Sequence, residues 1–149
     1  MAVETFIKQF LKKTFSKMFD LDKFRFNKIY ITEEVIENIV LLSKETHPKE
    51  FLAFLDGKIT DNILIINGLL YQEYNSTINS ASPIFHFPDK TFYGSIHSHP
   101  SYSNNPSVAD KHFFRKMGIV NAIICMPYSN ESIKFYNHEG EEIILKIIK

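Results

Sequence analysis

The stretch GSIHSHPSYSNNPSVAD, residues 94–110, constrains the fold more than any other part of the chain. FYGSIHSH reads as a strand, SYSNNP as a short polar loop, and SVADKHFFRKMG as a helix ended by Gly118. Residues i and i+2 of a strand share a face, so His97 and His99 project side by side. Residues i and i+3 of a helix share a face, so Ser107 and Asp110 point together near the helix start. The loop can bring that helix back over the strand end. Two imidazoles and one carboxylate make a three-ligand set with a fourth position open, which is the composition of catalytic rather than structural zinc. Magnesium and calcium prefer all-oxygen shells. Each half also has a plain structural reading. H-x-H is often a strand-surface coincidence, and S-x-x-D behind Pro106 is a capping-box signature at a helix entrance. The two halves together at this separation form a far more specific pattern than either alone.

Around this stretch the chain alternates strand-like and helix-like segments. KFRFNKIYIT alternates as a strand, and Thr32 caps a helix, EEVIENIVLLSKETHP, that Pro48 helps to end. EFLAFLDGK and NILIINGLLYQEY read as strands around a turn from Gly57 to Asn62. A polar loop, NSTINSASP, precedes a short strand, IFHF; after the second helix IVNAIICMP, SIKFYNH and EEIILKIIK close the chain as three strands. The expected fold class is α/β, a mixed β-sheet with helices packed on it.

The 149 residues suit one domain, residues 23–149, with residues 1–22 as an appended amphipathic helix. In that first segment Phe6, Phe10 and Leu11 fall at helical spacing, followed by Phe15, Met18 and Phe19, with lysines between them. The segment is expected to pack on the domain or on a second copy of the chain, giving a homodimer; a basic membrane-surface or partner-docking helix is the alternative. Lysines interrupt every apolar core a signal peptide would need, and no run reaches the roughly 18 apolar residues of a membrane span. The formal net charge of zero gives no sequence-wide attraction to nucleic acid. One cysteine, Cys125, excludes an internal disulfide framework and reads as a buried core thiol, in keeping with a cytoplasmic chain.

A metal-activated hydrolase needs a carboxylate outside the coordination shell to handle protons. Glu50, which opens the apolar strand after Pro48 and Lys49, stands out, although its spacing alone reads as an ordinary strand-edge acid. His86 reads as a strand histidine, His112 as surface, and His47 and His138 as turn residues without a signal. Tyr71 and Tyr74 read as partly buried aromatics. Tyr102 borders the proposed metal and is the better candidate for binding a substrate.

The pattern E…H-x-H-P-x(6)-S-x-x-D, formed by Glu50, His97, His99, Pro100, Ser107 and Asp110, resembles the JAMM, or MPN-plus, metalloprotease family. The upstream block resembles that family's E-x-x-G-x-L-x-G segment through Glu50, Leu55 and Gly57, with Ala53 in place of the first glycine. The likeness runs from about Thr32 to the C-terminus, is nearest to the compact prokaryotic and archaeal members, and leaves the N-terminal helix unexplained. It implies a cytidine-deaminase-like JAMM/MPN fold and one zinc per chain held by His97, His99 and Asp110. It implies Glu50 as the general base, Ser107 as a hydrogen-bond donor to the oxyanion, and Pro100 as the turn out of the zinc strand. With no metal-binding position substituted, an inactive scaffold is not expected.

Family members with this constellation cleave isopeptide or peptide bonds after the C-terminal tail of ubiquitin or a ubiquitin-like modifier. Such a tail is expected to lie extended beside the catalytic strand, by strand addition. Ser95 stands where eukaryotic ubiquitin-directed members commonly carry a bulky aromatic, and 149 residues leave little room for ubiquitin-gripping insertions. The resemblance therefore implies deconjugation of a small ubiquitin-like modifier. The alternatives are a zinc peptidase acting on the C-terminus of a sulfur-carrier protein and a non-catalytic module that binds modifier tails.

Overall fold

The computed structural model describes residues 26–71 and 92–149. The N-terminal helix, the IFHF strand, Tyr74 and His86 lie outside the described residues. The elements run in the order β1 (Lys28–Thr32), α1 (Glu33–Thr46), β2 (Leu52–Thr60), β3 (Ile63–Tyr71), β4 (Gly94–His99), α2 (Val108–Met117), β5 (Val120–Cys125), a 3-10 turn (Asn130–Ser132), β6 (Ile133–Tyr136), β7 (Glu142–Ile143) and β8 (Lys146–Ile148). The strands form one mixed sheet in the order β7-β6-β5-β4-β2-β3-β1-β8. The expected mixed sheet with packed helices is the architecture found.

Two local expectations are corrected. The segment EEIILKIIK is two short strands rather than one: β7 pairs antiparallel with β6, and β8 pairs parallel with β1 at the far end of the sheet order. Only Ile144 and Leu145 separate them. Eight strands spaced about 4.8 Å apart would hold these edges some 30 Å apart if flat. Two linking residues reach only about 11 Å. The sheet must therefore curl until its two ends nearly meet.

The turn expected from Gly57 to Asn62 is shorter than that. β2 continues through Gly57 to Thr60, and the reversal is made by Asp61 and Asn62, whose φ values of 51° and 61° are those of a two-residue hairpin turn. Gly57 instead follows a register shift at Asp56. A bulge there lets its backbone press on the Ile65 carbonyl, where no side chain fits.

The sheet buries a different set of side chains on each face. On one face, α1 lays Val35, Ile36 and Ile39 against Ile31, Ala53, Leu55, Ile96, Ala122 and Ile124 in the main core. Thr32 caps this helix by accepting from the Val35 N–H at 3.4 Å, as its sequence position implied. On the other face α2 sets Phe114 over Ile123 and Tyr136, a smaller cluster that also touches His97. Cys125 is buried at the end of β5 with Sγ 3.7 Å from the Ser132 carbonyl, and burial pushes its thiol pKa up.

Candidate functional site

β4 lies inside the sheet, antiparallel to β2 on one side and parallel to β5 on the other. Alternation along β4 sends Ile96 and Ser98 toward the α1 face and Ser95, His97 and His99 toward the α2 face. Ser107 caps helix α2, whose first turn places Asp110 over the two histidines. The Ser107 Oγ accepts from the Asp110 N–H at 3.1 Å, and an Asp110 Oδ2 accepts from the Ser107 N–H at 2.7 Å, so the capping box read from the sequence is present. It uses one oxygen of Asp110 and leaves the carboxylate turned toward the strand.

The donors converge. His97 Nε2 and His99 Nε2 are 3.1 Å apart, and they stand 3.0 Å and 3.5 Å from the two oxygens of Asp110. All three ligand atoms fit within 4.8 Å of one another. Bonds of about 2.0–2.1 Å to a tetrahedral zinc set neighbouring donors about 3.3–3.4 Å apart, so the triad matches three corners of that coordination shell. His99 Nδ1 lies 3.0 Å from the Ser103 carbonyl oxygen. A carbonyl can only accept, so Nδ1 carries the hydrogen and Nε2 keeps its lone pair, the tautomer a metal ligand needs. Burial would raise the Asp110 pKa, but hydrogen bonds from His97 and Ser107 hold the carboxyl well below the usual carboxylate range. Asp110 is thus kept as an anion. The residues fit a zinc ion.

Glu50 reaches the same face by register. Phe51 is tied to Ser98 by two hydrogen bonds, its N–H to Ser98 Oγ at 2.9 Å and its carbonyl from the Ser98 N–H at 3.1 Å. The next pair along is Leu52 with His97. Continuing that register one step the other way sets Glu50 opposite His99, where it is exposed to solvent. Glu50 also contributes, after burial and Cys125, to raising the Tyr128 pKa.

Tyr102 is 78% exposed in the loop between His99 and Ser107, and Val108, the first residue of α2, is 75% exposed. Tyr71 stands apart at the end of β3, edge-on to Phe51. His112 is exposed on α2, His138 lies 3.9 Å from Glu139, and neither belongs to the converging triad. The expectation of an extended tail adding directly to β4 is corrected, because β2 and β5 already occupy both edges of that strand.

Sequence reasoning missed the groups that hold this loop. The Tyr136 hydroxyl donates to the Asn104 carbonyl at 2.7 Å, Asn104 Nδ2 donates to the Ser132 carbonyl at 2.9 Å, and the Met126 N–H donates to the Ser101 carbonyl at 2.8 Å. His47, which reads as a turn residue in the sequence, bonds Tyr128 through Nδ1 at 2.8 Å. Backbone acceptors leave no mark in a sequence. The asparagines of SYSNNP were the one visible hint, as loop residues able to bond backbone.

Residues 32–138 match the family model described as prokaryotic homologs of the JAB domain. The chain is 32% identical over 124 residues, 74% of each chain, to a probable metalloprotease of Haloferax volcanii. The fold is similar to a JAB1/MPN domain protein from Archaeoglobus fulgidus, with a TM-score of 0.64 and 31% identity, covering 80% of this chain and 99% of that one. It is equally similar, at a TM-score of 0.64 and 29% identity over 83% of this chain and all of the other, to a structure described as JAMM, a metalloprotease-like zinc site in the proteasome and signalosome. With the family match over residues 32–138, the 32% identity and the shared fold, the chain belongs to the JAMM/MPN family, among the prokaryotic homologs of the JAB domain.

Proposed function

We propose that the chain is a zinc-dependent peptidase that hydrolyses the bond following the C-terminal tail of a small ubiquitin-like modifier, whether joined to a lysine side chain or to a peptide. The observation that carries this reading is the convergence of His97, His99 and Asp110, with donor separations of 3.0–3.5 Å, on the face to which the register also brings Glu50. Zinc in this triad would supply a Lewis acid for the scissile carbonyl and bring the pKa of a bound water toward about 7.

The chain's own residues would do the rest. Glu50 would take a proton at its carboxylate and return it to the leaving amine. The Ser107 Oγ already accepts from the Asp110 N–H, which leaves its hydroxyl hydrogen free to donate to the oxygen of the tetrahedral adduct. Because both edges of β4 are filled, the tail would cross the ends of the strands, between the Tyr102 loop and the Glu50 segment, with the Tyr102 ring as a contact surface.

Zinc-loaded protein incubated with linear and isopeptide-linked modifier fusions tests this reading. Scission directly after the tail is expected, with none from a Glu50→Gln variant that still holds zinc. Full cleavage by that variant would remove Glu50 from its role. A wild-type protein that binds the modifier but cuts neither linkage would be a binding module instead.

A further inference from the structure

Resting on the proposed hydrolysis, we infer that Tyr128 and His47 form a strap that positions Glu50. Glu50 is exposed, and among the described residues no hydrogen bond holds its carboxylate. Its place is therefore set by its backbone alone. Behind it, Phe51 is fixed to Ser98 by two hydrogen bonds. Ahead of it, the segment leaving α1 begins at His47, whose N–H still donates to the Ser43 carbonyl as the end of the helix. Between His47 and Glu50 stand only Pro48 and Lys49, and the Lys49 N–H donates to the Thr46 carbonyl at 2.9 Å.

The side-chain bond that pins the front of this segment is His47 Nδ1 to Tyr128 Oη, 2.8 Å, with the two rings edge to face at 5.6 Å between centroids. The anchor is the buried partner: Tyr128 is 5% exposed, while His47 stands in solvent. Tyr128 also has φ 60°, in the left-handed region that costs a bulky side chain on the order of 1 kcal/mol.

The same short connection grips the other half of the site. The Met126 N–H holds the Ser101 carbonyl at 2.8 Å, and the Ser132 carbonyl holds Asn104 Nδ2 at 2.9 Å, both in the loop between His99 and Ser107. Residues 126–132 therefore form one bracket to which the Glu50 segment and the metal loop are both tied. Tyr128 and His47 are positioning residues, acting through Glu50 and touching neither metal nor substrate.

Three variants of the full chain, each zinc-loaded, test the strap: Tyr128→Phe, His47→Ala and His47→Asn. Asparagine can offer a polar atom close to where imidazole Nδ1 sits. In Tyr128→Phe and His47→Ala the amide-exchange protection of Phe51 falls about tenfold, the scale of one lost hydrogen bond. Zinc content is retained, and kcat on a modifier fusion falls about tenfold with KM unchanged. His47→Asn restores both protection and kcat. Unchanged protection at Phe51, lost protection with intact kcat, or no rescue by His47→Asn would each overturn the inference. Should Tyr128→Phe fail to fold, the two His47 variants at an exposed position decide alone. Should the wild type cut no fusion, the proposed function fails, and exchange at Phe51 with its rescue by His47→Asn then supports or overturns the strap by itself.

Discussion

His99 Nδ1 sits 3.0 Å from the carbonyl oxygen of Ser103, and that one contact fixes which nitrogen of His99 can bind a metal. The carbonyl accepts the Nδ1 hydrogen, so Nε2 presents a lone pair toward His97 and Asp110. A site prepared in this way should bind zinc in the folded state and not in the unfolded chain. Zinc at about a hundred times its dissociation constant should then add about 2.7 kcal/mol of stability. Thermal unfolding with and without zinc measures this as a rise in Tm. In His97→Ala or Asp110→Ala the rise should disappear, and a variant whose Tm still climbs with zinc would place the metal elsewhere.

Ser107 is asked to do two things, and substitutions separate them. As helix cap, its Oγ accepts from the Asp110 N–H. Ser107→Gly should cost only a few tenths of a kcal/mol, because glycine is itself a tolerable cap, whereas Ser107→Ala should cost about 1 kcal/mol. As a donor to the developing oxyanion its loss should lower kcat by about 10²–10³ in both variants alike. Urea denaturation and steady-state kinetics on the same preparations compare the two. A kcat that follows stability, nearly normal in Ser107→Gly and low in Ser107→Ala, would leave Ser107 as a cap alone.

Tyr136 ties the metal loop to the sheet and carries a pH signature. Burial first, then Glu142, Cys125 and Asp110, push its hydroxyl pKa up to about 12, while the unfolded chain titrates near 10. Above about pH 10 the unfolded tyrosine releases its proton while the folded one keeps it. Stability from this group is therefore complete below pH 10 and is lost as pH rises toward 12. Tyr136→Phe should lose about 1 kcal/mol at neutral pH with its bond to the Asn104 carbonyl, and should fall less steeply than wild type between pH 10 and 12. Parallel pH dependences of the two proteins would contradict the assignment.

The site was more legible in the sequence than the sheet that carries it. His97, His99, Ser107 and Asp110 are read from two local periodicities, and local geometry decides where they point. Glu50 was not legible from spacing, since its closeness to His99 depends on β2 and β4 pairing across more than forty intervening residues. It stands out as the acid that opens an apolar strand, but its role as the base comes from the resemblance. The split of EEIILKIIK into strands at opposite ends of the sheet was hidden for a related reason. An apolar run of that length carries no mark of which neighbour each half will pair with, and only closure of the curled sheet decides it. Ser103 and Tyr128 act through a carbonyl and a buried hydroxyl, neither of which has a sequence signature.

Gly94 opens the strand that bears both histidines, and it pairs with Val120 across the parallel β4–β5 ladder. A Cβ placed at Gly94 would overlap the Val120 carbonyl, which is backbone and cannot swing away. Gly94→Ala should therefore force β4 and β5 apart, cost at least about 3 kcal/mol and displace His97 and His99 from Asp110, so that zinc affinity falls with stability. Gly68 provides the comparison. There a Cβ would meet the Asp56 Cβ at 3.1 Å, a far milder approach that needs a shift of only a few tenths of an ångström, and Gly68→Ala should cost less than Gly94→Ala and leave zinc binding intact. Urea midpoints and zinc titrations of the two variants test the contrast. A stable, zinc-binding Gly94→Ala would show that β4 and β5 are not packed as closely as this ladder requires.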